Sequence, residues 1–290
     1  MTEADRLETF IAQRTRLLRL AYRHLGSVSE AQDIVQEAWL RFAGADEVKD
    51  GPRLLSVIVT RLCLDHAKSA AARRLAYVGE WLPEPADTQF DDASDSALDI
   101  SFAVMRTLER LSPTERAAFF LHDLWGLPFE EVGAALAKSP AACRKLASRA
   151  RTSLAGSRKR FKPSNADLER FVSTFLASMQ SGDLSSLKAL LADDIQMVSD
   201  GGGRKLSALK AISGADAVAR FMFGIANKNA QADTTSMALC QLNDAPALLI
   251  LIGGKIDSTF SIDLGDDGLV RGVYMVRNPD KLSHLDAGGD

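Results

Sequence analysis

The chain has 290 residues, 46% of them apolar and 25% charged, and a net charge of −3. That length suits about two domains of ~150 residues, and the composition excludes general disorder, collagen and a low-complexity scaffold. The longest apolar run, residues 247–252, has six residues, far short of the ~18 of a membrane span. The opening MTEADRLETF carries acids and does not read as a secretory signal. Cys63, Cys143 and Cys240 are far apart and odd in number, which argues against a disulfide framework or a CxxC metal site and fits a reducing cytoplasm. No metal, cofactor or membrane partner is expected.

The near-zero net charge conceals an asymmetry. Residues 1–77 hold 12 Lys and Arg against 10 Asp and Glu, and residues 78–100 hold seven acids and no base. Residues 101–162 then hold 12 bases and five acids, and residues 163–290 hold 11 bases and 16 acids. Such alternation suggests that part of the chain meets a polyanion and part does not.

Leu7, Phe10, Ile11, Leu17, Leu18, Ala21, Tyr22 and Leu25 recur at three- and four-residue steps, which predicts a helix ending near Gly26. Ser29 and Gln32 suggest a capping box for a second helix with Ala31, Ile34, Val35, Ala38, Trp39 and Phe42 inward. After the polar stretch GADEVKDGP, Pro52 suits the first turn of a third helix, which Arg61, Lys68, Arg73 and Arg74 load with positive charge. The strip 78–100, with two prolines and seven acids, reads as a linker. Trp81 and Leu82 are unusual in it and are expected to dock on a neighbouring surface.

Ser112, Pro113 and Glu115 open another helix, which Trp125-Gly126-Leu127-Pro128 stops. A short helix over about 129–137 follows. Ser139 and Pro140 then start a helix to about 155 with Ala142, Leu146 and Ala150 on one side. Residues 141–162 hold eight bases and no acid. A short helix, a tight turn and a basic second helix form the unit that lays a recognition helix in the DNA major groove. Ser139, Arg144, Lys145 and Arg149 are the candidate DNA contacts, with bases paired to phosphates.

Two blocks carry a family resemblance. Residues 6–75, with AQDIVQEAWLRF, are similar to region 2 of the sigma-70 family; residues 105–156, with LSPTERAAFFLHDLWGLPFEEVGAALAKSP, resemble region 4. Regions 1 and 3 have no counterpart, so the short extracytoplasmic-function (ECF) type is implied. The resemblance implies core RNA polymerase, through its β′ and β subunits, and promoter DNA as partners. It places Asp33, Gln36, Glu37 and Trp39 in or near the polymerase-binding surface. It makes residues 44–53 the loop that captures a flipped −10 base, and puts Arg61, Lys68, Arg73 and Arg74 on or near the −10 helix, with region 4 reading −35.

Residues 163–290 form a different unit. Leu168, Phe171, Val172, Phe175, Leu176 and Met179 define a helix ending near Gly182, and Leu184, Leu187, Leu190 and Leu191 suggest another. Residues 256–264 alternate as a half-buried strand, and Asp266-Asp267-Gly268 turns into a second strand at 269–276. Strands at 235–242 and 247–252 and a short helix at 214–225 complete an expected α+β domain. This order resembles the SnoaL-like, cone-shaped fold, whose curved sheet encloses an apolar pocket. Asp200 is the best acid/base candidate, but Gly201-Gly202-Gly203 beside it favours a turn. His284 reads as a solvated tail residue.

WLPEP (81–85), DGGGR (200–204) and NPDKL (278–282) resemble signatures of the SigJ-like group of ECF factors, in which a SnoaL-like domain is fused to the sigma core. The group pattern has Lys where this chain has Arg204, which keeps charge but not geometry. The implied architecture is multidomain: sigma region 2 over 1–77, an acidic linker over 78–100, the region 4 helix-turn-helix over 101–162, and an α+β regulatory domain over 163–290. The implied regulator acts in cis, with no separate anti-sigma factor. Trp81, Leu82, Asp200, Gly201, Gly202, Gly203, Arg204, Asn278, Pro279, Asp280, Lys281 and Leu282, in strings expected outside any core, would make the interdomain contacts. No catalytic residue is expected of such a factor. Two alternatives stay open: a DNA-binding regulator whose last domain binds or converts a small hydrophobic ligand, and a plain repressor.

Overall fold

A computed structural model of the chain describes residues 1–75, 77–87, 100–157, 162–229 and 235–286. The chain divides into two compact units, one of residues 1–76, 88–100 and 104–157, the other of residues 77–87, 101–103 and 158–290.

The first unit is helical. Helix α1 (Glu3–Leu25) starts at a Thr2–Asp5 capping box and stops at Gly26, whose φ of 70° suits glycine. Helix α2 (Val28–Ala43) is capped by Ser27, which accepts from the Glu30 amide at 3.2 Å. The cap is thus two residues earlier than the Ser29 expected from sequence. Asp50 caps α3 (Gly51–Leu75) by accepting from the Arg53 amide at 3.0 Å, with Pro52 in the first turn. Leu17, Leu20, Ala21 and Tyr22 of α1 are buried, as are Val35, Ala38 and Phe42 of α2 and Leu55, Val59 and Leu62 of α3. Leu7 and Ile11, expected on the inward face, are exposed, because the buried stretch of α1 is concentrated in its second half.

Helix α4 (Phe102–Glu109) leads to α5 (Pro113–Phe119), which opens on the expected Ser112–Glu115 capping box. A π-helical turn over Phe120–Leu124 follows, then α6 (Phe129–Leu136) and α7 (Pro140–Ser157). Ala137 takes a left-handed φ of 51°, and the Lys138 amide returns to the Gly133 carbonyl at 2.9 Å. This closes the turn tightly: a Cβ on Gly133 would lie 2.6 Å from the Lys138 carbonyl oxygen. The buried face of α7 is Cys143, Ala147, Ala150 and Leu154. It is displaced by about one position from the expected Ala142–Leu146–Ala150 line, because the turn fixes the rotation of the helix.

Within this unit the two helical groups pack together. Arg116 of α5 donates to the buried His24 carbonyl at 2.8 Å, and the His24 ring meets Phe120 edge-on at 4.7 Å between centroids. Arg16 donates to the Leu124 carbonyl at 2.9 Å and lies 4.1 Å over the Trp125 ring.

The second unit is a six-stranded sheet with helices. Helix α8 (Asn165–Ser181) and the short α9 (Ser185–Lys188) precede β1 (Leu191–Asp200), β2 (Ile212–Ser213) and α10 (Ala215–Asn229). Then come β3 (Thr235–Leu242), β4 (Ala245–Ile252), β5 (Lys255–Leu264) and β6 (Val270–Val276). The order is β2-β1-β6-β5-β4-β3, with β1 parallel to β6 and the other pairs antiparallel. The expected strands are present; β1 and β2 were not expected. Asp193 and Asp194 interrupt β1's apolar pattern, and its register shifts between Leu191 and Gln196. Met197 and Met275 face one core with Phe171, Val218 and Phe260. Val198, Tyr274 and Val276, one residue along, face the other with Leu82, Phe102 and Leu282, as the period of two requires.

Two outcomes follow. Gly133→Ala should destabilise the first unit by about 1–3 kcal/mol, since its new methyl meets backbone, readable by chemical denaturation. His24 is fully buried, and its burial, reinforced by Arg116 and Arg23, holds the imidazole well below its ordinary pKa. Its neutral form is the folded one, so its contribution is complete above about pH 6.5 and is lost as pH falls from there towards the depressed value. Melting followed against pH should show acid destabilisation that His24→Gln reduces.

Candidate functional site

Three assemblies carry the predicted site residues. The first is the outer face of α2. Asp33, Gln36 and Glu37 are exposed at i, i+3 and i+4 spacing, so they share one side of the helix. Arg41 pairs with Glu37 at 2.6 Å. Trp39 is half-buried, its ring 5.1 Å from that of Phe10, so it braces the helix from behind. Sequence reasoning missed Leu40, which is 66% exposed; its signal was an apolar residue next to the acidic face rather than in the inward register.

The second is the basic face of α7. Arg144, Lys145 and Arg149 are exposed, while Cys143, Ala147 and Ala150 between them are buried. Ser139 accepts from the Ala142 amide at 3.2 Å, so its hydroxyl oxygen caps the helix whose N-terminus it marks. Arg144 lies 3.5 Å from Glu130 and Arg149 3.8 Å from Glu115, exposed pairs worth little against solvent. Arg151 is different: it grips Asp123 with two bonds of 2.7 and 3.1 Å and so fixes α7 to the π-helical turn. Arg61 of α3 is exposed and donates to the Ala135 and Ala134 carbonyls of α6 at 3.0 and 3.1 Å. Lys68, Arg73 and Arg74 have side chains outside the described residues.

The third assembly lies in the second unit and centres on Asp200, at the end of β1. Asp200 has no exposed surface. Its Oδ1 accepts from the Tyr77 hydroxyl at 2.6 Å and the Gly202 amide at 3.0 Å. Its Oδ2 accepts from the Leu82 amide at 2.9 Å and the Lys281 ammonium at 2.8 Å. Lys281 also donates to the Leu82 carbonyl, and its ammonium lies 3.9 Å over the Trp81 ring and 4.9 Å over the Tyr77 ring, a favourable seat for a cation. Asn278 donates to the Tyr77 hydroxyl at 2.9 Å. Burial, and then the Asp200 carboxylate, push the Tyr77 phenol well above its ordinary pKa.

The three strings thus meet in a buried network, contrary to the expectation that they lie outside a core. The reason is that each supplies what the others leave unsatisfied: a carboxylate, its cation, and the amides of 77–87. Leu82 is fully buried and Trp81 half-buried, so the first part of the expected linker packs within the sheet unit. Gly202, at φ 58°, leaves no room for a Cβ, which would lie 2.3 Å from Asn278 Nδ2. Gly201 likewise abuts the Lys205 carbonyl, while Gly203 takes a φ of 69°. Arg204 pairs with Asp280 at 3.2 Å on the surface. Pro279 begins the 3-10 turn that Asn278 caps, and Leu282 is buried in the apolar floor. His284, expected in solvent, is half-buried and donates from Nε2 to the Pro85 carbonyl at 2.8 Å. Tyr77 was missed; nothing in its spacing separated it from the preceding helix. With both carboxylate oxygens twice bonded, Asp200 has no acceptor left for a substrate proton, which removes the acid/base candidate. Among the described residues, no cluster of His, Cys, Asp and Glu gathers to hold a metal, and no helix is long and apolar enough to cross a membrane.

A helical bundle with an acidic outer face, followed by a helix-turn-helix with a basic one, is the build of a DNA-binding protein of the transcription machinery. Residues 10–73 match the Sigma-70 region 2 family and residues 101–154 the Sigma-70, region 4 family. The chain is 43% identical over 289 residues to the ECF RNA polymerase sigma factor SigJ of Mycobacterium tuberculosis (strain ATCC 25618 / H37Rv), covering 94% of this chain and 92% of that protein. It is 34% identical over 187 residues to the probable ECF RNA polymerase sigma factor SigI of Mycobacterium tuberculosis (strain CDC 1551 / Oshkosh), covering 62% and 64% respectively. The crystal structure of Mycobacterium tuberculosis SigJ superposes with a TM-score of 0.74 at 33% identity, over 96% of this chain and 98% of that one. The chain belongs to the ECF family of RNA polymerase sigma factors.

Removing one partner of a buried ion pair strands the other. Lys281→Met should therefore cost the second unit about 3–5 kcal/mol, measured by denaturant melts, whereas the exposed Arg204→Ala should cost less than about 1 kcal/mol.

Proposed function

We propose that this chain brings core RNA polymerase to promoters, with residues 1–77 and 101–162 as the binding parts and residues 163–290 as their regulator in cis. The outer face of α2, with Asp33, Gln36 and Glu37 and with Trp39 bracing it, meets the β′ subunit, and the β subunit completes the seat. The loop at 44–53 and Arg61, Lys68, Arg73 and Arg74 engage the −10 strand. Arg144, Lys145 and Arg149, with Ser139 at the helix start, meet −35. The observation that carries this reading is an acidic helix face and a basic recognition-helix face, both turned to solvent, in the two regions that match the sigma family. The chain works by binding in the cytoplasm, and the bond chemistry belongs to polymerase.

In this arrangement Arg61 gives its guanidinium to α6 carbonyls. Promoter engagement exchanges those two bonds for phosphate contacts, which a charged donor makes more strongly. The regulatory part rests on the Asp200–Lys281 network, which grips residues 77–87 inside the sheet unit. The same chain then supplies its own control, without a separate anti-sigma protein.

Asp33→Lys with Glu37→Lys should lower capture of core polymerase by at least about tenfold while leaving duplex binding intact. Arg144→Ala with Lys145→Ala should do the reverse, and should reduce the salt slope of promoter binding by about 2, at ~0.9 per phosphate contact. Tight promoter-duplex binding without polymerase, unmoved by the α2 pair, would favour a repressor instead. In run-off transcription with the full chain, Lys281→Met should change promoter output while polymerase capture is kept. Unchanged output at every polymerase concentration would defeat the regulation in cis.

A further inference from the structure

The sheet of the second unit ends differently at its two sides. At one edge β2 has only two residues, Ile212 and Ser213, too few to template another strand. At the other, β3 runs for eight residues, Thr235–Leu242, in unbroken register with β4. It carries no charged residue, no proline and no bulge, which are the devices that blunt an open edge. Met237 and Leu239 in it are 46% and 52% exposed.

The hairpin fixes which backbone groups face outward. Asn243 and Asp244 take positive φ values of 54° and 60°, so a two-residue turn joins β3 to β4. Leu242 and Ala245 close that turn and exchange both of their bonds, and hydrogen-bonded and non-hydrogen-bonded pairs alternate from there. Cys240, Ala238 and Ser236 therefore bond to β4, while the amides and carbonyls of Gln241, Leu239, Met237 and Thr235 point away from it. Pro246 stands opposite Gln241, a non-hydrogen-bonded pair in which its missing amide takes nothing from β3. Among the described residues, no strand or loop pairs with the outward groups.

The outward row Thr235, Met237, Leu239 and Gln241 is polar, apolar, apolar, polar, the same pattern in either direction. A two-fold axis at Ala238 would set Met237 against Leu239 of the partner subunit and Thr235 against Gln241 of the partner subunit. Every outward amide and carbonyl of the row then finds a bond. We propose that β3 is the pairing edge of a two-fold dimer of this chain, making one continuous antiparallel sheet across both copies. The match of the row with itself selects a second copy over a strand of another protein, and an uncharged strand meets no like charge on its twin. A single strand pair falls short of the roughly 800 Å² per partner of a stable interface, so the dimer is reversible, with a Kd of roughly 1–100 µM. The proposal concerns the second unit alone and is independent of polymerase and promoter binding.

Sedimentation velocity of the full chain from about 1 to about 300 µM should show a monomer–dimer equilibrium. Leu239→Pro removes an outward amide and leaves the bonds to β4 in place, and Leu239→Lys puts a charge on the seam. Each should weaken the dimer by at least about tenfold while the folded monomer keeps its circular dichroism. Should the proline variant not fold, the lysine variant reports. Ala238→Cys in a Cys240→Ala chain should oxidise to a covalent dimer that dithiothreitol reverses. Ser236→Cys in the same background should not, because the axis sets residue 236 opposite residue 240. A monomer at every concentration, the result expected of an edge that takes another protein's strand, would overturn the proposal. So would a dimer indifferent to both Leu239 variants, or cross-linking through position 236 rather than 238.

Discussion

A carboxylate cut off from water must be neutralised and hydrogen-bonded where it stands, and Asp200 meets that demand with groups from two distant parts of the chain and from its own turn. The Lys281 ammonium supplies the charge, the Gly202 amide and Tyr77 hydroxyl supply bonds, and the Leu82 amide completes the set. None of these donors is replaceable by solvent, because the carboxylate has no exposed surface. A buried ion pair is weak evidence for net stability, since dehydrating both charges offsets their attraction. What the bonds do show is position: the segment 77–87 is held on the sheet unit through the Leu82 amide and carbonyl as well as through the buried Leu82 side chain.

The same economy of charge explains which bases of the first unit are structural. Arg116 and Arg151 are committed to the His24 carbonyl and to Asp123. Arg144, Lys145 and Arg149 are exposed on α7, where phosphates can reach them. Small residues make this sorting possible. Gly133 lets α6 and α7 approach until backbone meets backbone, and Ala147 and Ala150 keep the inward face of α7 flat enough to pack on α5.

Much of the fold was legible in the sequence because its signals are local. The apolar spacing of α1 to α3, the Ser112–Glu115 cap, the helix-turn-helix and the alternation at 256–264 each depend on neighbours a few residues away. What escaped was set by long-range pairing. β1 hides behind Asp193 and Asp194, which face solvent in mid-strand, Asp194 with Arg271 of β6 beside it. The turn after Asp200 was legible in its glycines, but the burial of its carboxylate was not, because Lys281, Leu82 and Tyr77 stand 81 and more than 100 residues away. Tyr77 gave no signal. The two charged helix faces were legible as residue types; their separation from the structural arginines needed the geometry.

The most direct measurement of the account is amide hydrogen exchange at Leu82 in the full chain. A backbone amide donated to a buried carboxylate, inside a network of bonded partners, opens only when the sheet unit opens. Leu82 should therefore exchange as slowly as the central amides of β6, and Lys281→Met should accelerate it selectively. Exchange at Leu82 as fast as in an unstructured linker, indifferent to Lys281, would contradict the idea that the Asp200 network holds this segment.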